Sequence, residues 1–401
     1  MKMAHRSEQI LYLSYDGLTD ALGQSQILPY LSGLSVVGYS FTIVSFEKAE
    51  RFEKYNNEVE KICRNFKLDW RPLKYHKTPP VLSTVYDLYI LRQTVKRLVG
   101  KKKFTIVHCR SYLVSLTGLW LKKKFGLRFV FDMRGFWPDE RIDGGLWNLR
   151  NPFYKLIYNF FKQKEKCFLR NADHVVSLTH RARTEIRSWH ISDIPITVIP
   201  TCVDMQLFNP ERTADMSSTL RRTLAIAPGE FVLVYHGSWG TWYMTDQVLD
   251  FFSAFISKKP DSRLLILTPD HPDLDGYAHI ARTIVRQVSR TEVPVFLGLA
   301  HASICFIKPT FSKIASSATK VAEAWSMNLP VVTNPGWGDI ERLHSAGFPL
   351  FLCESKGDYE KTVSLLIAMR GVVRERVVGE FDLASGIRRY KSIYQSLSRC
   401  L

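Results

Sequence analysis

The feature that most constrains the fold is an alternation of short β-branched and aromatic runs with longer segments of helical spacing. In the first half these runs are ILYLSY (10–15), FTIVSF (41–46), FTIVHC (104–109), RFVFDM (128–133), HVVSLT (174–179) and ITVIP (196–200). Continuous apolar strands that alternate with helices are typical of a parallel sheet covered on both faces. The first half is therefore predicted to be an α/β domain.

The same alternation restarts after residue 230. The runs here are FVLVYHG (231–237), RLLILT (263–268), VPVFLG (293–298), ICFIKP (304–309), LPVVTN (329–334) and PLFLC (349–353). Two successive units of this kind predict two Rossmann-like domains that face each other across a cleft. We assign residues 1–200 to the N-terminal domain and 213–380 to the C-terminal domain, with a linker near 200–212. The amphipathic segment within 381–401 is expected to pack back on the N-terminal domain as a helix.

Positive charge is concentrated in the first half of the chain. The 401 residues carry a net charge of +17, and residues 1–200 hold 33 Lys and Arg against 18 Asp and Glu, whereas residues 201–401 hold 22 against 20. A field of one sign on one domain favours an anionic partner, either an acidic membrane surface or a phosphate-bearing substrate. A solvated basic surface is the alternative. Because no nucleic-acid-binding motif accompanies the charge, nucleic acid is not an expected partner.

Several chemical motifs are absent from the sequence. No strand is followed by G-x-G-x-x-G, and neither a G-x-x-x-x-G-K-[ST] loop nor H-E-x-x-H occurs, which disfavours dehydrogenase, P-loop and zinc-protease chemistry. Seven cysteines without a C-x-x-C pair indicate neither a disulfide framework nor a zinc site. We expect no metal and no resident cofactor. No signal-peptide core and no apolar run of membrane-spanning length is present, so a cytoplasmic location is predicted.

The strongest local pattern is FIKPTFSKIASSATKVAEAWSMNLPVV (306–332). A strand is followed by a loop of small residues and lysines and then by a helix that carries Glu323. Amide groups at a helix start, together with lysines, can hold a diphosphate, and a glutamate one turn later can accept hydrogen bonds from ribose hydroxyls. The candidate binding residues are Lys308, Lys313, Ser316, Ser317, Thr319, Lys320 and Glu323. A capped helix start with an exposed glutamate is the alternative.

Polar residues also follow several predicted strands of the first domain. Gly17 and Gly23 are predicted in the turn before the first helix, where glycine would let the backbone approach a ligand. Because ligands bind at the carboxyl ends of parallel strands, the segments SYDG, HCRSYL and FDMRGFWPDE supply further candidates. These are Asp16, Arg110, Asp132, Arg134, Asp139 and Glu140. Ordinary loops with surface charges are the alternative.

The segment 148–171 combines aromatic residues with lysines and arginines. Such a helix can lie in an anionic interface, supported by the basic clusters GKKK (100–103) and LKKKFGLRF (121–129). The alternative, which the sequence favours, is a helix whose apolar face packs inward and whose polar face is basic.

Taken together, these segments resemble the family 4 glycosyltransferases. The similarity covers nearly the whole chain: DGLTDALGQSQILPYL, FDMRGFWPDE, ADHVVSLTHRARTEI (172–186), VIPTCVDMQLF (198–208), YHGSWG (235–240) and the block ending KVAEAWSMNLPVV. The resemblance implies a GT-B fold and a retaining transfer of sugar from a nucleotide-sugar donor. It also implies that the N-terminal domain binds the acceptor and the C-terminal domain the donor.

The resemblance assigns roles to individual residues. Glu323 matches the second of the family's paired glutamates, expected at the donor ribose, and the SSATK loop matches the diphosphate cradle. Gly237 and Ser238 match the donor-side loop, and Gly23 matches the glycine loop that approaches donor phosphate and acceptor. The expected catalytic residues are Arg134, Lys320 and Glu323, and the expected acceptor-side residues are Asp16, Arg110, Asp139 and Glu140.

The chain departs from the family pattern at several positions. The family's first glutamate falls at Ala315, its basic pair falls at Ser238 and near Trp242, and a histidine is replaced by Arg134. Phosphate charge would then be neutralised by other cations, with Lys308, Lys313, Lys320 and Arg134 as the candidates.

The sequence therefore predicts a metal-independent hexosyltransferase of cell-surface polysaccharide synthesis. UDP or GDP sugars are the expected donors, and the acceptor is a glycan or lipid-linked, with an anionic membrane surface as a candidate partner of the basic half. A nucleotide-sugar 2-epimerase of the same fold, an inactive GT-B relative and a peripheral location on the inner face of the membrane remain open.

Overall fold

The structure is a computed structural model that describes residues 8–191, 193–369 and 374–398. The chain divides into two compact units. The first runs to Pro200 and includes the last helix, and the second spans Thr201–Asp382. The segment predicted as a linker belongs to the second unit from Thr201 onward, since Val203 forms a parallel bridge with Asp382.

In its described residues the first unit contains a seven-stranded parallel sheet of order β3-β2-β1-β4-β5-β6-β7. The strands are β1 (Gln9–Ser14), β2 (Ser40–Glu47), β3 (Asp69–Lys74), β4 (Ile106–Arg110), β5 (Arg128–Asp132), β6 (His174–Ser177) and β7 (Ile196–Val198). The helices between them are α1 (Ala21–Gln26), α2 (Leu28–Val36), α3 (Ala49–Asn65), α4 (Leu82–Lys101), α5 (Tyr112–Phe125), α6 (Trp137–Asp143), α7 (Pro152–Asn171) and α8 (His180–Ser188).

The described residues of the second unit form a six-stranded parallel sheet of order β10-β9-β8-β11-β12-β13. The strands are β8 (Phe231–His236), β9 (Ser262–Leu267), β10 (Thr283–Arg286), β11 (Ala302–Cys305), β12 (Val331–Thr333) and β13 (Leu350–Leu352). The helices are α9 (Pro210–Thr223), α10 (Thr245–Lys258), α11 (Val293–Leu297), α12 (Thr319–Ser326), α13 (Ile340–Ser345) and α14 (Tyr359–Ala368). Short 3-10 turns lie at Ile280–Arg282, Phe311–Ala315, Lys356–Asp358 and Arg374–Val377.

The prediction of two parallel-sheet α/β units is confirmed. Strand β8 shows why its sequence is apolar throughout: Val232 and Val234 pack into the core on one face of the sheet, whereas Leu233 and Tyr235 pack into the core on the other. Each strand therefore supplies two cores, as a sheet covered on both faces requires.

One predicted strand is wrong. The run VPVFLG (293–298) forms the short helix α11, in which Pro294 occupies the first turn. Proline is favoured at the start of a helix for two reasons. Its fixed φ suits that position, and the N–H that it lacks would have no acceptor within the helix there. Periodicity alone cannot separate a short apolar run in a strand from one in a buried helix.

The last helix, α15 (Leu383–Ser398), packs on α2 within the first unit. The Tyr390 hydroxyl donates a hydrogen bond of 2.9 Å to Asp132, and the Tyr394 hydroxyl lies 2.7 Å from Nδ1 of His108. This helix therefore completes the polar network at the carboxyl ends of β4 and β5. In the part of the chain that the structure describes, no helix has the length and apolarity needed to cross a membrane.

Candidate functional site

The predicted diphosphate cradle lies at the start of α12 in the second unit. The loop residues Ser316–Thr319 are partly exposed, and the residue before the helix, Ala318, offers no side chain to cap it. An uncapped helix start presents backbone N–H groups and the positive end of the helix dipole to solvent, an arrangement that suits an anion. The predicted strand–loop–helix order is present, although β11 ends at Cys305, before Lys308.

Lys320 is the most distinctive residue of this loop. Its ammonium group is buried and has no hydrogen-bond partner among the residues that the structure describes. The Nζ atom lies 3.5 Å from the ring centre of Tyr243 and 4.3 Å from that of Tyr235. Burial lowers the pKa of Lys320 to about 8. A cation kept without an acceptor inside a protein is costly, so its retention points to a ligand.

Gly237 leaves the room that Lys320 occupies. This glycine follows β8 with φ of +115°, and a Cβ atom on it would come 2.9 Å from both Cε and Nζ of Lys320. The backbone conformation therefore requires glycine, and a Cβ atom here would also displace the end of the Lys320 side chain. The neighbouring Ser238 is exposed, and its carbonyl accepts a hydrogen bond from the Tyr235 hydroxyl.

Glu323 is held by two residues that the sequence analysis missed. Nη1 of Arg290 donates a hydrogen bond of 2.7 Å to Oε1, and Nε2 of His236 lies 3.3 Å from Oε2. Burial acts to raise the pKa of Glu323, but Arg290 and His236 outweigh it and lower the pKa to about 2. Glu323 is thus a fixed carboxylate, and each oxygen keeps acceptor capacity for a further donor.

His236 and Arg290 differ in how predictable they were. His236 ends β8 and precedes Gly237, so its position at the carboxyl end of a strand could have marked it. Burial lowers its pKa, and its Nδ1 has no hydrogen-bond partner in the described part of the chain. Arg290 lies in the loop after β10 and has no local motif. Folding of the second sheet brings both residues beside Glu323.

The other predicted donor residues have mixed surroundings. Lys313 is buried, with Nζ 3.7 Å from the ring centre of Trp242. Lys308 is exposed. The Ser317 hydroxyl accepts a 3.1 Å hydrogen bond from the backbone N–H of Thr201, which ties the loop to the start of this unit. Ala315 is buried, so this position offers no side chain to a ligand.

A second polar cluster lies in the first unit, at the carboxyl ends of β4 and β5. Arg110 and Arg134 are both buried, and the Nε of each has no hydrogen-bond partner among the described residues. Arg110 lies 3.5 Å from Asp16, which is about half exposed, and Arg134 lies 3.9 Å from Asp132. Burial acts to raise the pKa of Asp132, but Arg134 and His108 outweigh it and lower that pKa.

The backbone of Arg134 has φ of +56°, in the left-handed region that residues with a side chain seldom adopt. Such strain persists where the surroundings enforce it and is frequent at functional sites. The structure thus brings together four predicted residues of the first unit, Asp16, Arg110, Asp132 and Arg134.

Two other predicted residues have internal partners. Asp139 accepts hydrogen bonds of 2.9 Å from the Tyr158 hydroxyl and from Lys162, which also pairs with Glu165, so this carboxylate links α6 to α7. Glu140 is the next residue of α6.

Gly23 lies inside α1, not in the turn before it. A Cβ atom there would come 2.0 Å from the carbonyl oxygen of Gly17. The space that a side chain would need at this position is therefore occupied by the backbone of the preceding turn.

Comparison with known proteins agrees with this description. Residues 32–207 match the sequence model of Glycosyltransferase Family 4. A comparison with curated protein sequences finds no significant match. The two parallel-sheet units define a protein of the GT-B fold. Within that class, the segment 32–207 belongs to Glycosyltransferase Family 4, and the resemblance inferred from the sequence is confirmed.

Solved structures share the whole fold at low identity. Sucrose-phosphate synthase from Thermosynechococcus elongatus is 14% identical with a TM-score of 0.70, over 98% of this chain and 100% of that one. Anabaena Alr3699/HepE, solved in complex with UDP and glucose, is 12% identical with a TM-score of 0.68, over 96% and 99%. A Listeria monocytogenes protein described as a UDP-N-acetylglucosamine 2-epimerase is 10% identical with a TM-score of 0.58, over 97% and 96%.

Proposed function

We propose that the chain is a cytoplasmic, retaining hexosyltransferase that moves a sugar from a nucleoside diphosphate sugar to a glycan or lipid-linked acceptor in cell-surface polysaccharide synthesis. The observation that carries the proposal is the buried ammonium group of Lys320, which has no hydrogen-bond partner among the described residues and lies at the uncapped start of α12. A diphosphate at this position would supply the missing acceptor.

The reaction needs stabilisation of the leaving group. Negative charge grows on the β-phosphate as the glycosidic C–O bond breaks, and an ammonium group that is already in place lowers this barrier. Lys320 and the N–H groups of the α12 start would provide that stabilisation. Glu323, fixed by Arg290 and His236, would accept hydrogen bonds from ribose hydroxyls.

Lys313 is a candidate to replace the basic pair that this chain lacks relative to the family pattern. The family's basic pair falls at Ser238 and near Trp242 in this chain, and Lys313 places its ammonium group 3.7 Å from the Trp242 ring centre. We assign to Lys313 the charge that the family places in that loop. We propose that this transfer takes place without a metal ion, with the positive charge supplied by Lys313 and Lys320.

The acceptor would bind at the first unit. Arg110 and Arg134 are largely buried guanidinium groups whose Nε atoms make no hydrogen bond among the described residues, although Nε of Arg110 lies 3.5 Å from Asp16, and Arg pairs well with carboxylates and phosphates. Together with the positive balance of residues 1–200, they favour an acceptor that bears a phosphate or a carboxylate. Same-face attack by the acceptor hydroxyl would account for retention without a protein nucleophile.

The proposal is tested by nucleotide binding and by sugar transfer. Thermal unfolding is measured with UDP, GDP, ADP and dTDP, because a ligand of the folded state raises its apparent stability. We expect UDP or GDP to raise Tm in the wild type and in Lys356→Met, an exposed lysine of the second unit, but not in Lys320→Met. Glu323→Ala should abolish donor hydrolysis and transfer. Normal turnover in either Lys320→Met or Glu323→Ala would contradict the assignment.

A 2-epimerase is the second candidate, because His236 and Glu323 form an acid–base pair beside Lys320. The fold does not separate the two activities, since a sucrose-phosphate synthase and a protein described as a 2-epimerase both share it. Incubation with a UDP-sugar in the absence of acceptor, followed by NMR, distinguishes them. A transferase yields free sugar or no change, whereas an epimerase yields an isomeric UDP-sugar. Nucleotide binding with no epimerisation, no donor hydrolysis and no transfer to any acceptor tested would indicate an inactive relative.

A further inference from the structure

Helix α7 carries an apolar face that the protein does not cover. Its inner residues, such as Phe161 and Phe168, are buried as the amphipathic pattern predicted. On the outside, however, the side chains of Phe153, Leu156 and Phe160 are exposed, with Leu156 exposed to 68%. Their spacing of three and four residues places them in one stripe along the helix. The helix therefore packs one apolar face inward and leaves a second apolar stripe exposed.

Helix α4 carries a second stripe of the same kind. Leu82, Val85, Tyr86 and Tyr89 are all exposed, with Leu82 at 67%, and their spacing again places them on one face of the helix. Isolated exposed apolar residues are ordinary on protein surfaces. Exposed apolar residues that are grouped along two helices of one unit are not isolated, and such grouping usually marks an interaction site.

The two stripes belong to the same side of the first unit. Helix α4 packs on α5, and α5 packs on α7, so the three helices are neighbours. Helix α4 follows β3, and α7 follows β5 and α6, so both begin at the carboxyl edge of the parallel sheet. The stripes occupy the first halves of these helices. They therefore lie toward the edge that holds Arg110 and Arg134.

The charge on these helices has one sign. Helices α4, α5 and α7 together contain twelve lysines and arginines and only two acids, Asp87 and Glu165. Both acids are buried, Asp87 against His76 and Glu165 against Lys162 and Tyr112. Of these cations only Lys155 lies in the first half of its helix, beside the α7 stripe, and the other eleven lie in the second halves. The three helices thus carry apolar stripes toward one end, cations mainly toward the other, and no exposed acid among their described residues.

We propose that the three-helix surface, formed by α4, α5 and α7, docks on an anionic phospholipid bilayer. Apolar side chains would enter the headgroup region while the lysines and arginines contact phosphate groups, the arrangement that holds amphipathic helices in a membrane interface. A second copy of the chain is a poor occupant, because two faces of the same high positive charge repel each other. The inference deepens the proposed function by placing the acceptor edge at a membrane, where a lipid-linked acceptor lies.

The test is flotation of the full-length protein with vesicles of phosphatidylcholine alone and of phosphatidylcholine with phosphatidylglycerol. We expect binding only to the anionic vesicles. Leu156→Glu and Leu82→Glu should each weaken this binding by about tenfold, since each removes an apolar contact and adds a repelled charge. Val36→Glu is the matched control, because Val36 is exposed to 72% on α2 of the same unit and should bind as the wild type does.

Charge is tested separately from apolar contact. Lys155→Glu, beside Leu156, should weaken binding to the anionic vesicles by about fivefold or more, whereas Lys361→Glu on α14 of the second unit should not. Binding should also fall as salt is raised. Far-UV circular dichroism and Tm of each variant establish that it is folded, which is expected for substitutions at exposed positions.

Several outcomes would overturn the proposal. These are equal binding to neutral vesicles, equal loss in Val36→Glu, and anionic binding that the two leucine variants leave unchanged. The proposal would also be overturned if the wild type did not bind vesicles but bound single-stranded RNA. It would likewise be overturned if the wild type formed a dimer that Leu156→Glu dissociates. Vesicle binding requires no donor, so Lys320→Met should still float with anionic vesicles. The inference and the proposed function can therefore fail independently.

Discussion

At the scale of single residues, the chain keeps a buried cation that works against its own stability. Lys320 has a pKa of about 8 in the folded protein, whereas an unfolded lysine keeps its proton to about 10.4. Below pH 8 both states are protonated, and the folded state bears the full cost of a desolvated ammonium group. Contacts with the Tyr235 and Tyr243 rings offset part of that cost.

Lys320→Met should therefore stabilise the protein while removing donor binding. We expect the free energy of unfolding at pH 7 to rise by roughly 1–3 kcal/mol, from the pKa difference less the cation–π contacts. Between pH 8 and about 10.4 the unfolded state binds more protons, so wild-type stability rises with pH and the advantage of the variant shrinks. Urea unfolding at pH 7 and 9.5 measures both effects. A destabilised Lys320→Met would contradict this account, and Lys356→Met should show no effect.

Glu323 has the opposite pH behaviour. Its folded pKa of about 2 lies below the unfolded value near 4.3, so its contribution to stability is complete above that value and is lost as pH falls toward 2. Glu323→Gln should lower the free energy of unfolding by roughly 3 kcal/mol at pH 6, and less than half of this difference between variant and wild type should remain at pH 3. Urea unfolding of both proteins at the two pH values tests this. Glu360→Gln, at an exposed position, is the control. A difference in unfolding free energy between Glu323→Gln and wild type that is as large at pH 3 as at pH 6 would refute the assignment.

The residue scale also shows what the sequence could not reveal. Lys320 and Glu323 were predictable because one turn of a helix links them within a recognisable motif. Their partners come from positions far away in the chain: His236 is at the end of β8 and Arg290 is in a loop after β10. Only the folding of the second sheet brings these groups together, so no local pattern could have paired them.

At the scale of elements, the strands that escaped prediction share a physical cause. The missed strands β3 and β10 are the outer strands of their sheets, each paired on one side only. An edge strand is partly exposed and needs no continuous apolar run, and β3 even contains Pro72, which an edge position tolerates. The interior strands are buried on both faces, so their composition marked them clearly.

Helix α1 shows how a single glycine can decide the packing of an element. In Gly23→Ala, the new Cβ would lie 2.0 Å from the Gly17 carbonyl oxygen and 2.6 Å from Cα of Leu18, and backbone cannot move aside as a flexible side chain can. We expect a loss of at least about 2 kcal/mol in unfolding free energy, from overpacking. Gly100→Ala is the control: it adds a Cβ with no atom within 4 Å in α4 and should stabilise by up to about 1 kcal/mol. Equal effects of the two substitutions in urea unfolding would contradict this explanation.

At the scale of the whole molecule, the chain has two units, each with its own sheet and its own buried core, and the positive charge belongs mainly to the first. The residues proposed to act on the donor, Gly237, Lys320 and Glu323, all belong to the second unit. The segment that matches the family model lies mostly in the first. The segment that matches the family model and the proposed donor site thus lie mainly in different units.

This division predicts how ligand binding affects unfolding. Because a ligand stabilises the structure that it binds, a UDP or GDP donor should raise the transition of the second unit and leave that of the first near its original temperature. Scanning calorimetry should resolve two transitions, with the upward shift confined to one and absent in Lys320→Met.

Tyr390→Phe, which removes the hydrogen bond from α15 to buried Asp132, should lower only the other transition, by the several degrees that correspond to about 1–3 kcal/mol. A single transition that both changes move equally would show that the units unfold together, and the donor site would then report on the stability of the entire chain.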